Sequence, residues 1–162
     1  MPLECTQAYF GCAACEDGTI YAVGGHDGHT FLHTAEVYTP STGTWQPIAS
    51  LRSARAYLGL EVVGGQLYAI GGHDGDARVR TVERYDPPTD TWQLVAPMHS
   101  VRAFLATVST GGTIVAIGGS DAPGHALASC ESYDVASDTW RPIEQPMLEA
   151  RCFPGAAVVC RG

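Results

Sequence analysis

Apolar and polar positions alternate along this chain in short runs, and turn residues cut them off before any helical period can build. The run Leu67–Ile70 ends in Gly71-Gly72, and a polar loop follows. Thr81–Tyr85 alternates again, and a Pro/Asp turn over Asp86–Asp90 leads into Thr91 and Trp92. Run lengths of four to eight residues, β-branched and aromatic content and Gly/Pro/Asp punctuation predict strands. The middle of the chain holds four such runs: Ala56–Val63, Leu67–Gly71, Thr81–Asp86 and Thr91–Val95. Gly64-Gly65 between the first two is a tight hairpin signal.

This pattern recurs three times. The doublets Gly24-Gly25, Gly71-Gly72 and Gly118-Gly119 stand 47 residues apart. Tyr38, Tyr85 and Tyr133 follow at 47 and 48, with Trp45, Trp92 and Trp140 each seven residues later. Glu36, Glu83 and Glu131 sit two before each Tyr, and Arg55, Arg102 and Arg151 open the run after each Trp. Four short-linked strands per period make an antiparallel meander, and a period in the high forties is the spacing of propeller blades. The predicted fold is all-β: blade 1 over about 7–48, blade 2 over about 55–95, blade 3 over about 102–143, and the first strand of a fourth over about 151–160.

The Gly doublet, the Tyr, the Trp seven later and the following Arg resemble the kelch motif. GGHDGHTFLHTAEVYTPSTGTW and GGHDGDARVRTVERYDPPTDTW are most similar to the kelch repeats of BTB–kelch adaptor proteins. The resemblance covers about residues 7–160. The third repeat, GGSDAPGH, carries one extra residue and lacks the Asp-Gly step, so its loop is expected to differ in shape. The resemblance implies a protein–protein interaction module that selects substrates for a cullin-RING ubiquitin ligase, contacting the ligase through a BTB domain outside this chain. A scaffold binding actin or another filament is the alternative. A kelch-fold enzyme is the third class; the Tyr/His copper site of a galactose-oxidase-type enzyme is not assembled here.

Each repeated residue has a physical role of its own. The Gly doublets turn with positive φ where a Cβ would clash. The Tyr and Trp rings bury large areas, packing blade on blade. The Glu carboxylates are expected to accept hydrogen bonds from turn N–H groups. Three blades and one strand leave sheet edges open, which points to part of a longer propeller or to self-association that covers them.

Composition narrows the partners. A formal charge of −8 argues against a nucleic-acid surface. All nine basic residues are Arg. No apolar run reaches the length of a membrane helix, and Met1–Cys5 lacks the features of a signal peptide. The six Cys form no compact framework. The expected location is therefore cytoplasmic.

In a meander the long second–third loops and the blade-to-blade crossovers share one end. That end holds six of the nine Arg (Arg52, Arg55, Arg78, Arg80, Arg102, Arg151) against six of the seventeen acids. Arg55, Arg102 and Arg151 would ring the mouth, each with an aromatic two residues on: Tyr57, Phe104 and Phe153. With His26, His73, Arg78 and Arg80 they are the candidate contacts for a protein or acidic peptide. The competing reading is that the three repeated Arg brace loops by bonding carbonyls.

Cys12-x-x-Cys15 has metal-motif spacing, but residues three apart on a strand face opposite ways; apolar filling is the reading adopted. His26, His29 and His33 cluster in a loop without a zinc-spaced partner pair. No phosphate loop or nucleophile elbow is present. The expectation is a chain with no catalytic residues, metal or cofactor.

Overall fold

A computed structural model describes residues 8–158. The expected bounds at residue 7 and at 159–160, and the reading of Met1–Cys5, fall outside them. Among the described residues the structure is all-β, without helix. Blade 1 is the antiparallel sheet β1 (Gly11–Ala14), β2 (Ile20–Val23), β3 (Ala35–Thr39) and β4 (Thr44–Ile48), paired in that order. Blade 2 is β5 (Gly59–Val63), β6 (Gln66–Ile70), β7 (Val82–Asp86) and β8 (Thr91–Val95). Blade 3 is β9 (Ala106–Thr110), β10 (Thr113–Ile117), β13 (Cys130–Asp134) and β14 (Thr139–Pro142). Its long loop folds into a small hairpin, β11 (Ser120–Ala122) with β12 (His125–Ala126), where the sequence pattern predicts an altered loop.

The register pairs the two aromatics of each repeat directly across strands three and four: Tyr38 with Trp45, Tyr85 with Trp92, Tyr133 with Trp140. The rings of each pair lie 5.0 to 5.5 Å apart. Two apolar cores fill the spaces between blades. Leu58, Leu60, Leu67, Tyr85 and Trp92 close the first against Tyr21 and Val23. Ile70, Val82, Met98, Ile114 and Trp140 close the second.

The inner strands begin later than the pattern predicts. Ala56 makes only a single bridge, to His73, and Tyr57 turns to φ 59°, so the ladder starts at Gly59. Residues 151–158, where the first strand of a fourth blade is expected, form no ladder. Arg151 and Phe153 bond to blade 3 as their counterparts do to earlier blades, but among the described residues no second strand lies beyond them to make a ladder. Among the described residues the sheets do not close: one face of blade 1 and one of blade 3 have no blade against them, as in a partial propeller. Tyr38 and Trp45 are accordingly only half-buried, whereas Tyr85, Trp92, Tyr133 and Trp140 are buried.

Candidate functional site

The repeated Arg joins consecutive blades. Its backbone belongs to the earlier blade: the carbonyls of Arg55, Arg102 and Arg151 accept the N–H of Gly25, Gly72 and Gly119 at 2.8 Å. This is why each doublet is glycine. A Cβ on Gly24, Gly71 or Gly118 would lie 2.4, 2.4 or 2.7 Å from that carbonyl oxygen. The guanidinium then crosses into the next blade. Arg55 donates to the carbonyls of Gly71 and Thr81 at 3.2 Å and pairs with Glu83 at 2.7 Å. Arg102 donates to Gly118 and Ser129 carbonyls at 2.9 and 2.8 Å and pairs with Glu131 at 3.1 Å. Burial pulls the Arg55 guanidinium below its ordinary value, opposed by the charge and hydrogen bond of Glu83.

Glu83 and Glu131 also take N–H groups from the crossover, as expected of turn acceptors. Arg52 N–H reaches Glu83 at 2.8 Å, and the His99 and Ser100 N–H groups reach Glu131 at 2.7 and 3.1 Å. Burial works to raise the Glu131 carboxyl, but those two N–H bonds, the His99 ring and Arg102 outweigh it and hold it below its ordinary value.

The expected open ring of three arginines is therefore corrected. Arg55 is 1% exposed and Arg102 0%; both brace the next blade, Arg102 through all three guanidinium nitrogens and Arg55 through its two terminal ones, its Nε being buried without a partner. Arg151, with no next blade among the described residues to enter, has a side chain 61% exposed and touches Glu149 at 3.4 Å. Glu36 mirrors it: half-buried, it pairs with no Arg among the described residues.

What faces the axis instead is aromatic. Tyr9, Tyr57, Phe104 and Phe153 form a stair with successive ring centroids 4.5, 4.2 and 4.7 Å apart. The backbone climbs with them: the N–H of Tyr57, Phe104 and Phe153 donates to the carbonyl of Tyr9, Tyr57 and Phe104 at 2.8 to 2.9 Å. All four residues have φ between 55° and 61°. That conformation costs an L-residue on the order of 1–2 kcal/mol, and here it is imposed by the stacked hydrogen bonds. Backbone strain of this kind gathers at functional sites. The rings line a cavity of about 290 Å³ together with Leu58 and Leu105. Phe153 remains 65% exposed and Tyr9 56%.

The long loops stand around this stair. Asp27 and Asp74 each accept two N–H groups of their own loop at 2.7 to 2.9 Å, holding its shape. His26 and His73 accept the N–H of Gly28 and Gly75 on Nδ1 at 3.0 and 3.1 Å. The neutral rings therefore carry their proton on Nε2. Phe31 lies between these rings, 5.0 Å from His26 and 5.3 Å from His73. Arg78 holds the place in blade 2 that Phe31 holds in blade 1, each bridging the His of its loop. Its guanidinium carbon lies 5.7 Å from the centre of the Phe104 ring. Its Nε is buried without a partner, and among the described residues it makes no ion pair. Arg80 is exposed.

Two likenesses to known proteins place this architecture. The Kelch motif matches residues 8–52, 54–99 and 102–147. The chain belongs to the kelch-repeat family. No curated protein sequence matches it. Among solved structures it is similar to that described as "Structure of YjhT", with a TM-score of 0.79 and 16% identity, over 90% of this chain and 54% of that one. At that identity the likeness speaks for the fold alone, and the kelch chain described here spans about half of the solved one.

Of the candidate contacts, the kelch loops bring His73, Arg78, Tyr57, Phe104 and Phe153 together; His26 joins through Phe31, and Arg80 is exposed two residues beyond Arg78. Sequence reasoning missed Tyr9 and Phe31. Tyr9 stands 48 residues before Tyr57, one out of the 47-residue phase, and Phe31 has an arginine as its repeat counterpart. The other chemical candidates remain apart. Cys12 is exposed on β1, and Cys15 packs against the first core just beyond it. Burial raises both thiols. Among the described residues no three His, Cys, Asp or Glu side chains converge as a metal site, and no helix is long and apolar enough to cross a membrane.

Proposed function

We propose that this chain is a protein-binding kelch module whose contact surface is the long-loop end, and that it selects substrates for a ubiquitin-ligase adaptor of the BTB–kelch kind. The observation that carries the reading is the division of labour among the arginines. Arg55 and Arg102 brace the blades, while Arg78 and Arg80 belong to the same long loop without ion pairs among the described residues, Arg78 over the half-buried Phe104 ring. Rigid blades carrying such cations and aromatics at one end fit interface chemistry, in which Arg, Tyr and Phe are enriched. The adaptor role rests on the likeness of the GGHDG repeats to BTB–kelch sequences.

The test is proximity labelling in cells expressing the reading frame that carries this chain. Labelled proteins are expected to accumulate when cullin activation is blocked, and labelling should fall with Arg78→Glu and Arg80→Glu. A labelled set indifferent to the block removes the ligase role. Co-sedimentation of the chain with actin filaments would move the reading to a cytoskeletal scaffold.

A further inference from the structure

The aromatic stair is a concave apolar surface at the long-loop end, and its chemistry narrows what that end takes. Its rings are stacked on their neighbours by 4.2 to 4.7 Å yet half-buried or exposed. Another ring laid across them extends the same tilted packing. The cavity of about 290 Å³ is at the lower limit of the roughly 300–1,000 Å³ that holds a free small molecule. It suits one bulky side chain presented by a peptide.

Charge fixes the second element. Arg78 lies over Phe104, with its Nε buried and unpartnered and no carboxylate paired to it among the described residues. In a protein of net charge −8, such a cation against a ring that lines the apolar cavity is suited to an acid from outside. The nearby carboxylates of Asp27 and Asp74 are turned into their own loops. Nδ1 of His26 and of His73 is taken up by backbone, so each offers a second-nitrogen donor to an acceptor.

We propose that the stair docks a peptide segment that lays one aromatic side chain across Tyr57 and Phe104 and sets an adjacent carboxylate against Arg78. This rests on the long-loop end being the contact surface and names its ligand. Arg55 and Arg102 take no part except through the rigidity they give the stair.

The experiment pans a random dodecapeptide library on the immobilised chain and measures the affinity of the enriched peptides by fluorescence anisotropy. Sequences joining Trp, Phe or Tyr to Asp or Glu are expected. Phe104→Gly removes the ring and suits the positive φ; Arg78→Glu reverses the charge. Each should weaken binding ten-fold or more while leaving the thermal midpoint near that of the parent, and added salt should weaken the parent's binding. Should Phe104→Gly fail to fold, Arg78→Glu decides. Peptides indifferent to both variants but lost with Arg80→Glu or His33→Ala overturn the stair and leave the long-loop reading intact. Peptides indifferent to all four, or a library that yields none, overturn both.

Discussion

The indole N–H of Trp92 lies 2.8 Å from the carbonyl oxygen of Ala49, and Asp90 accepts the N–H of the same Ala49 at 2.8 Å. One residue of blade 1 is thus gripped on both polar atoms by blade 2. Tyr85 completes the clamp, donating its hydroxyl to Asp90 at 2.8 Å. Blade 3 repeats it on Ala96, with Trp140 at 2.9 Å, Asp138 at 2.8 Å and Tyr133 on Asp138 at 2.6 Å. Burial first, and then the bond to the carboxylate, push both tyrosines above their ordinary value. In blade 1 the Asp position is Gly43, and the Trp45 indole N–H makes no hydrogen bond among the described residues.

Trp92→Ala therefore removes a buried ring and half a clamp, and should cost about 3–5 kcal/mol. Trp92→Phe keeps most of the apolar area and should cost less, with the lost hydrogen bond contributing about 0.5–1.5 kcal/mol. Trp45→Ala should cost less than Trp92→Ala, since its ring has no blade against it among the described residues. Urea unfolding with matched slopes measures all three. Equal losses for Trp45 and Trp92 would show that inter-blade contact is not what stabilises the ring.

The buried pairs predict a second contrast. Arg102→Ala leaves Glu131 in the interior with its N–H donors but without its cation, and breaking such a pair costs about 3–5 kcal/mol. Arg151→Ala, exposed and loosely placed, should change stability by less than about 0.5 kcal/mol. Thermal unfolding of the two variants side by side checks this. Near-equal effects would mean that position in the repeat, and not the buried carboxylate, sets the role of the arginine.

Much of this architecture is legible in the order of the residues. The 47-residue phase marks the blades, the turn residues mark the strand ends, and strand alternation separates the long-loop end from the short one. What residue type alone does not decide is the role of the arginines. A guanidinium that braces and one that binds look alike in sequence. The difference lies in Glu83 and Glu131, 28 and 29 residues downstream, which meet them only once the next blade has folded. Tyr57 and Phe104 stand out in the sequence only as neighbours of those arginines. That they are the displayed element follows from their positive φ, which turns the backbone between the buried Arg and the inner strand.

Acid should reveal the same network. Glu131 is held below its ordinary 4.5 in the folded chain. As pH falls past that ordinary value, the unfolded chain takes up the proton first, so stability is lost progressively as pH descends through the folded-state value. Above about 4.5 the contribution is fully present. Urea midpoints at pH 7 and at steps below about 4.5 should decline, and Glu131→Gln should show a lower midpoint at pH 7 with a shallower acid decline. An unchanged acid slope in that variant would assign the acid sensitivity to other carboxylates, such as Asp90, which the Ala49 N–H and Tyr85 also hold down.

The glycine doublets allow conformation and close approach to be measured separately. Gly71 has φ 61°, and a Cβ there would lie 2.4 Å from the carbonyl oxygen of Arg102. Gly64, in the hairpin at the other end, has nearly the same φ of 59° and nothing within 4 Å of a Cβ. Gly64→Ala should therefore cost only the left-handed conformation, about 1–2 kcal/mol. Gly71→Ala adds a collision with backbone rather than with the end of a flexible side chain. It would push the Arg102 carbonyl away and break the 2.8 Å bond it accepts from Gly72. Because Arg102 carries Phe104 two residues on, the disturbance should reach the stair. Gly71→Ala should unfold at a markedly lower temperature than Gly64→Ala, and near-ultraviolet circular dichroism should change at temperatures where Gly64→Ala still matches the parent. If the two variants unfold together, the doublet is there for its φ alone and the close passage of Arg102 is not what selects glycine.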